Sequence, residues 1–173
     1  LIYGLIKSES SNYFEGNLLS SDYFWGDIIK GKIKYVRNYT FHNINTLQMN
    51  PAMPYHDFNK PYVNLWFSSS DGHDVNTFNN LLKEENLDRL EQEHGVCIIY
   101  THFSNGFVID GVLNETTKIR IQDLASRNGY FVPVNTILEF LDNNNSHNNI
   151  LSLRENISMQ LRWIYEKIIY GSS

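Results

Sequence analysis

The pattern of hydrophobic and polar residues predicts three strands in the middle of the chain. Residues 32–41 alternate polar with apolar side chains, which is typical of a strand with one solvated face. Residues 62–67 and 96–99 form short, mainly apolar runs, which favour strands buried on both faces. The second run continues to Phe103. We expect the strand at 96–103 to be the interior strand around which the sheet is organised.

Apolar residues recur at helical spacing in later segments. Residues 77–93 predict an amphipathic surface helix that Asp74 or Asn76 caps. The next elements are a helix capped by Thr116 or Thr117 that stops at Asn128-Gly129, a short strand at 130–134 and a helix at 137–141. The last helix, 150–168, carries the most regular stripe: Ile150, Leu153, Ile157, Leu161, Ile164 and Ile168. We expect this stripe to pack on the domain or on a partner helix.

Strands and helices alternate from residue 32 onward, and this order predicts parallel strands joined by crossover helices. With about four strands, the chain is too short for a closed (β/α) barrel, which takes more than about 200 residues. We therefore expect an α/β fold, either a partial (β/α) barrel or a small open sheet. The predicted domain occupies 1–142, an Asn-rich linker occupies 143–149, and a C-terminal amphipathic helix occupies 150–173.

The composition argues against several classes of protein. The net charge of −5 comes without a basic block, which argues against a nucleic-acid surface. Cys97 is the single cysteine, so an internal disulfide and a CxxC metal site are excluded, and its apolar neighbours indicate a buried thiol. No apolar stretch approaches the roughly 20 residues of a membrane span.

Polar residues follow two of the predicted strands, at the position where α/β proteins keep their chemistry. His102 is the first candidate for a functional residue, and a satisfied structural histidine is the alternative. Asp71 and His73 lie in a polar loop after the strand at 62–67. That loop predicts a carboxylate–imidazole pair at the mouth of a site, the cap of the following helix, or both.

The loop at 43–61 contains three of the four prolines, so neither an interior helix nor a central strand fits there. It includes His56 and Asp57, which invite a metal interpretation. They lack an HxH or HxxxH companion, and we therefore assign no metal ligand in this chain.

Several features between residues 62 and 142 occur together: Asn64-Leu65-Trp66, a polar loop with Asp71, the strand that ends at His102, and the segment 129–141. In this order they resemble the closing half of a polysaccharide deacetylase of the NodB-homology type. In that family, a strand ending in Leu-x-His delivers a histidine, and the last strand and helix are similar to 129–141. The resemblance implies a partial (β/α) barrel and a hydrolase that removes N- or O-acyl groups from a glycan.

The resemblance also implies roles for individual residues. His102 matches the histidine that acts as general acid on the leaving amine or alcohol, which requires a pKa near the working pH. Asp71 lies near the place of the aspartate that orients this histidine. Tyr100 falls at the Leu of Leu-x-His, on the side that lines the acyl pocket. We expect Tyr100, Trp66 and Phe103 to bind the glycan, in one cleft with His102.

The sequence departs from the family pattern in its metal-binding motifs. Neither Thr-Phe-Asp-Asp nor His-x-x-x-His is present, and Tyr3-Gly4 only echoes the end of an Arg-x-Pro-Tyr-Gly loop. A hydrolase of this class uses its metal to polarise the carbonyl and to activate water. We therefore expect the chain to be the carboxyl-terminal part of such an enzyme, with the other half removed or supplied as a separate segment, or else a relative that no longer catalyses. A divalent metal such as zinc is expected only if the other half is present.

Two hypotheses from other classes stay open. A non-catalytic glycan-binding or assembly module predicts an exposed aromatic platform formed by Tyr23, Phe24, Trp25 or Tyr55. An interaction domain predicts instead that the helix at 150–168 presents its apolar stripe outside the domain.

Overall fold

The structure is a computed structural model that describes residues 19–22, 24–144 and 150–171. It has a mixed α/β architecture with five strands and seven helices in these ranges. The strands are β1 (Tyr35–Phe41), β2 (Leu65–Asp71), β3 (Ile99–Tyr100), β4 (Val108–Ile109) and β5 (Val112–Leu113). The helices are α1 (Gly26–Lys32), α2 (Thr46–Met49), α3 (Val75–Leu81), α4 (Glu84–Gln92), α5 (Glu115–Ser126), α6 (Val134–Asn144) and α7 (Leu153–Tyr170).

Three of the strands form a parallel sheet in the order β1-β2-β3, while β4 and β5 form a small antiparallel hairpin. The predicted parallel pairing is confirmed. The prediction of an interior strand at 96–103 is wrong, because β3 is short and lies at the edge of the described sheet. Of the residues before it, Val96 O accepts from Leu47 N and Ile98 N donates to Thr46 Oγ1, while Ile98 O accepts from Ser70 N of β2. The partial barrel stays a prediction.

The central strand, β2, extends into a segment that the sequence predicted as a loop. Ser68, Ser69 and Ser70 are all buried there. Each serine has a side-chain partner from the β1 or α2 region: Asn50 at 2.9 Å, Thr40 at 3.2 Å and Thr46 at 2.7 Å, respectively. A buried hydroxyl is tolerated when it is hydrogen-bonded, so these three bonds let a polar run occupy the middle of a sheet.

The helix bounds follow local capping signals. Asp74 caps α3, as one of the two predicted caps, and forms a capping box with Thr77. Asn114, not Thr116 or Thr117, caps α5 by accepting from Thr117 N. The predicted helix at 77–93 is divided into α3 and α4. Residues 130–133 form no strand, and α6 extends to Asn144, into the predicted linker; residues 145–149 lie outside the described part.

Three hydrophobic clusters hold the layers together. The first joins α3, α4 and β3 around Phe78 and Leu82, and half-buried Cys97 packs against it. Burial of the thiol raises the pKa of Cys97 to about 12, although the residue as a whole is only half-buried where the sequence predicted a buried one. The second joins β1 and α7, and the third places α6 against the sheet through Leu138.

The last helix packs on the domain through an unexpected face. Met159 is buried against the second cluster, together with half-buried Trp163. The stripe that was expected to pack on the domain or on a partner helix is largely exposed, at Ile150, Leu153, Ile157, Leu161 and Ile168. A helical stripe predicts that a helix is amphipathic, but here the opposite face packs on the sheet. On that face, Met159 and Trp163 contact Phe41 and Tyr39 of β1. Within the described residues, no helix has the length and apolar character needed to cross a membrane.

Replacing Leu138 tests the packing of α6. Leu138 is 0% exposed in the third cluster, whereas Phe140 on the same helix is 59% exposed. We expect Leu138→Ala to lower the free energy of unfolding by about 3 kcal/mol, because it leaves a cavity. Phe140→Ala is the matched control and should change it by less than about 1 kcal/mol. Urea denaturation measures both; equal effects would contradict this packing.

Candidate functional site

Each strand of the parallel sheet is followed by a histidine at its carboxyl end. His42 comes directly after β1, His73 lies two residues after β2, and His102 lies two residues after β3. The strand ends are in register, since Phe41 pairs with Ser70 in β2, and Asp71 pairs with Tyr100 in β3. Parallel strands in register bring their carboxyl ends to one edge, so the three histidines gather there.

Asp71, the last residue of β2, lies between two of these histidines. Its Oδ1 accepts from His73 Nδ1 at 2.8 Å and from His73 N at 3.1 Å. Its Oδ2 lies 3.5 Å from His42 Nε2, and these two buried atoms have no closer hydrogen-bond partner in the described part of the chain. Asp71 is only 2% exposed. A buried carboxylate needs such partners, because removing its charge from water is costly.

His42 connects this pair to the last helix. Its backbone N donates to Glu166 Oε2 at 2.7 Å, and its ring lies 4.5 Å from the ring of Tyr170. Burial of the imidazole lowers the pKa of His42 below its ordinary 6.5, although the carboxylates of Asp71 and Glu166 act in the opposite direction. The neutral form of His42 is therefore favoured in the folded protein.

His102 is exposed at the same edge, in contact with the loop after β2. Its backbone N donates to the carbonyl of His73 at 3.2 Å. Its Nε2 is hydrogen-bonded to the hydroxyl of Tyr100, and the two rings meet edge to face at 4.8 Å. The Arg37 guanidinium stacks on the ring of Tyr100, with the guanidinium carbon 3.6 Å from the ring centre.

The pairing of Asp71 corrects one part of the predicted site. The sequence predicted that Asp71 orients His102, but the hydrogen bond from its carboxylate goes to His73. His73 follows Asp71 by two residues in the same tight loop, so its ring lies within hydrogen-bond distance of the Asp71 carboxylate. His102 has Tyr100 as its ring partner instead. Tyr100 thus contacts the candidate acid directly rather than only lining a pocket beside it.

Trp66 lies away from the other predicted site residues. It is the second residue of β2, five positions before Asp71, which places it roughly 16 Å along the strand at ~3.3 Å per residue. There it pairs with Tyr55 and lies under the ammonium group of Lys60. The predicted cleft therefore does not include Trp66. Phe103 follows His102 directly and is 63% exposed, with its ring against Phe78 and Phe107.

The predicted aromatic platform is only partly present. Tyr55 is 2% exposed, so it belongs to the core and the platform prediction is wrong for this residue. Trp25 is exposed and Phe24 is half-buried, while Tyr23 and the Tyr3-Gly4 pair lie outside the described residues.

Sequence reasoning missed two members of this edge, His42 and Arg37. A signal was present for His42: it follows an alternating strand directly, as His102 follows its own strand. Arg37 gave no such signal, because a charged residue on the solvated face of a strand is common. Only the parallel register brings its side chain to Tyr100, two strands away.

The edge offers two oriented imidazoles for proton transfer, those of His73 and His102. The Asp71 carboxylate orients His73 through Nδ1, which is the arrangement that prepares the other ring nitrogen to exchange a proton. His73 Nε2 lies 3.5 Å from Asp74 Oδ2. In the described ranges, no group of three or more His, Cys, Asp and Glu side chains is placed to hold a metal ion. His56, from the metal interpretation, has its Nδ1 at 3.1 Å from the carbonyl of Asn64.

A scan against protein-family models, a search of curated proteins and a search of solved structures found no match to this chain.

The lowered pKa of His42 predicts a pH-dependent stability. As the pH is lowered, His42 takes up a proton near pH 6.5 in the unfolded chain and only at a lower pH in the folded chain. Stability should therefore fall as the pH is lowered through about 6.5. His42→Gln removes this titration, so the slope of unfolding free energy against pH should become flatter between about pH 7 and pH 5. Exposed His94, changed to Asn, is the control; equal slopes in His42→Gln and wild type would refute the assignment.

Proposed function

We propose that the chain is part of a polysaccharide deacetylase-like hydrolase, which removes N- or O-acyl groups from a glycan. One observation supports this above the others. His102 is exposed at the carboxyl edge of a parallel sheet, and its backbone binds the loop that carries the Asp71–His73 pair. This edge is where α/β proteins bind and convert their substrates. It is also where the resemblance to deacetylases requires a histidine.

In this proposal, His102 protonates the leaving amine or alcohol. Tyr100 is a positioning residue, because its hydroxyl binds Nε2 of His102, and Nδ1 is the nitrogen that would transfer the proton. Arg37 in turn holds the Tyr100 ring from its stacked position. The Asp71–His73 pair supplies a second oriented imidazole for a proton that the reaction releases.

The metal that the resemblance implies has no ligand set among the described residues. Asp71 Oδ1 binds His73 Nδ1, whereas Asp71 Oδ2 and His42 Nε2 have no hydrogen-bond partner among the described residues. No step assigned to this chain passes through a metal.

Replacing His102 tests the proposal directly. In the full-length protein, His102→Ala should lower acetate release from acetylated glycans by about 10²- to 10⁴-fold, because a general acid contributes that much. Glycan binding, measured by calorimetry, should survive. His94→Asn is the matched control: it is an exposed histidine with positive φ, a conformation that Asn tolerates. Unchanged acetate release in His102→Ala would make the general-acid assignment wrong.

The interaction-domain hypothesis keeps one supporting observation. The apolar stripe of α7 is exposed, as this hypothesis predicts. The two functions differ in which substitution matters. Leu161→Glu alters the centre of the stripe, so it should leave acetate release unchanged if the protein is a deacetylase. Loss of release in Leu161→Glu, with His102→Ala still active, would favour the interaction domain.

A further inference from the structure

A cavity of about 290 Å³ lies between α7 and the end of α2. Residues 48–52 form one wall, and residues of one face of α7, together with Leu151, form the other. A second cavity, of about 580 Å³, adjoins it along α7. The residues that we assign to proton transfer do not line the smaller cavity, so it is a place where the chain can bind a different ligand.

Two arginines of α7 line the smaller cavity without a carboxylate partner. Arg154 and Arg162 are both exposed, and neither forms an ion pair with a residue in the described ranges. Arg162 Nη1 has the thioether of Met49 as its hydrogen-bond partner, at 3.6 Å. A thioether is a weak acceptor, so both guanidinium groups keep nearly all of their donors for a ligand.

The acidic residues beside these arginines are already bound. Glu155 lines the cavity, but its carboxylate accepts from Ser152 N at 2.9 Å and from the Ser152 hydroxyl, in the capping box of α7. Glu166 lines the adjoining cavity, where it is 8% exposed and accepts from His42 N at 2.7 Å. Two guanidinium groups against one carboxylate leave the smaller cavity with a net positive charge, which favours an anionic ligand.

The rest of the lining is mainly apolar. Met49 and Met159 are both buried, and Pro51, Ala52 and Leu151 complete this part of the wall. Methionine is unbranched and polarizable, so a wall built with it adapts to the shape of an apolar ligand. A small hydrated anion would leave this wall uncovered, and the lining therefore suits an anion that carries an apolar part.

Interior contacts hold both walls in place. On the α7 side, Met159 packs in the second hydrophobic cluster with Met49 and Phe41. On the other side, Asn50 Nδ2 donates to Ser68 Oγ of β2 at 2.9 Å, which fixes the segment after α2 on the sheet. Because these groups are ordered without a ligand, binding has a small ordering cost.

We propose that this cavity binds a small amphipathic anion, in which a phosphate or carboxylate group is attached to a short apolar chain. Arg154 and Arg162 bind the anionic group through charge-assisted hydrogen bonds, and the methionine-containing wall covers the apolar chain. The inference goes beyond the proposed function and does not depend on it, because His102 and its partners lie outside the lining.

Calorimetric titration of the full-length protein with hexyl phosphate and with hexanoate tests this inference. Inorganic phosphate and hexanol are the probes that carry only the anionic group or only the chain. At least one of the two amphipathic anions should bind about tenfold more tightly than inorganic phosphate and hexanol do. Arg154→Gln and Arg162→Gln should each weaken that binding by about tenfold, because each removes a charge-assisted hydrogen bond.

One control variant and one further measurement separate local recognition from general effects. Arg89→Gln removes the same charge from an exposed position on α4 that lines neither cavity, so the affinity should be unchanged. The bound anion should also raise the unfolding temperature of the wild-type protein, since a ligand of the native state stabilises it. This measurement needs no variant, so it tests binding even where a substitution disturbs the fold.

The outcomes that overturn the inference are distinct from those that concern His102. Equal affinity in wild type, Arg154→Gln and Arg162→Gln overturns it, as does a lack of binding and of thermal stabilisation by both amphipathic anions. It is also overturned if inorganic phosphate or hexanol binds as tightly as they do, because one part of the lining would then have no role. Acetate release that depends on His102 stands or falls separately from all of these results.

Discussion

The buried carboxylate of Asp71 is the constraint on which the arrangement of the site depends. It ends the central strand and is only 2% exposed, and a carboxylate buried there requires polar neighbours. His73 comes from its own loop and His42 from the neighbouring strand end. Through the backbone, His73 then binds His102, and His42 binds Glu166 of α7. One carboxylate therefore connects all three strand ends and the last helix.

Polar side chains also determine how the connection between β1 and β2 packs on the sheet. The serines of β2 bind Asn50, Thr40 and Thr46 in the interior. Hydrogen bonds are directional, so these contacts define one position for the crossover segment, whereas apolar packing would accept several. The same segment lines two cavities beside α7. The polar interior of the sheet and the shape of these cavities are therefore linked.

The candidate site combines imidazoles with neighbouring groups that fix their orientation. Three histidines lie at the sheet edge, and Tyr100 and Asp71 hold two of their rings in defined orientations. A cavity beside α7 is lined by His42 together with Tyr165 and Tyr170. The apolar stripe of α7 is exposed on the face of the helix opposite to Met159 and Trp163.

The sequence by itself determined the features that depend on short-range patterns. Alternation and apolar runs predicted the parallel α/β order, and Asp74 was among the predicted caps of α3, because these signals act within a few residues. The sequence also predicted that Asp71 and His102 lie near one another. The reason is that parallel strands bring their carboxyl ends to one edge of the sheet.

Only the tertiary structure decided which groups pair across the sheet and which faces are covered. It placed Trp66 at the far end of β2, buried Tyr55, exposed the stripe of α7, and brought His42 and Arg37 to the site. These outcomes depend on the register between strands and on which face of each helix or strand covers the core. Neither can be read from the residue spacing within one segment. A local pattern states what a segment can bury, but its neighbours decide what it does bury.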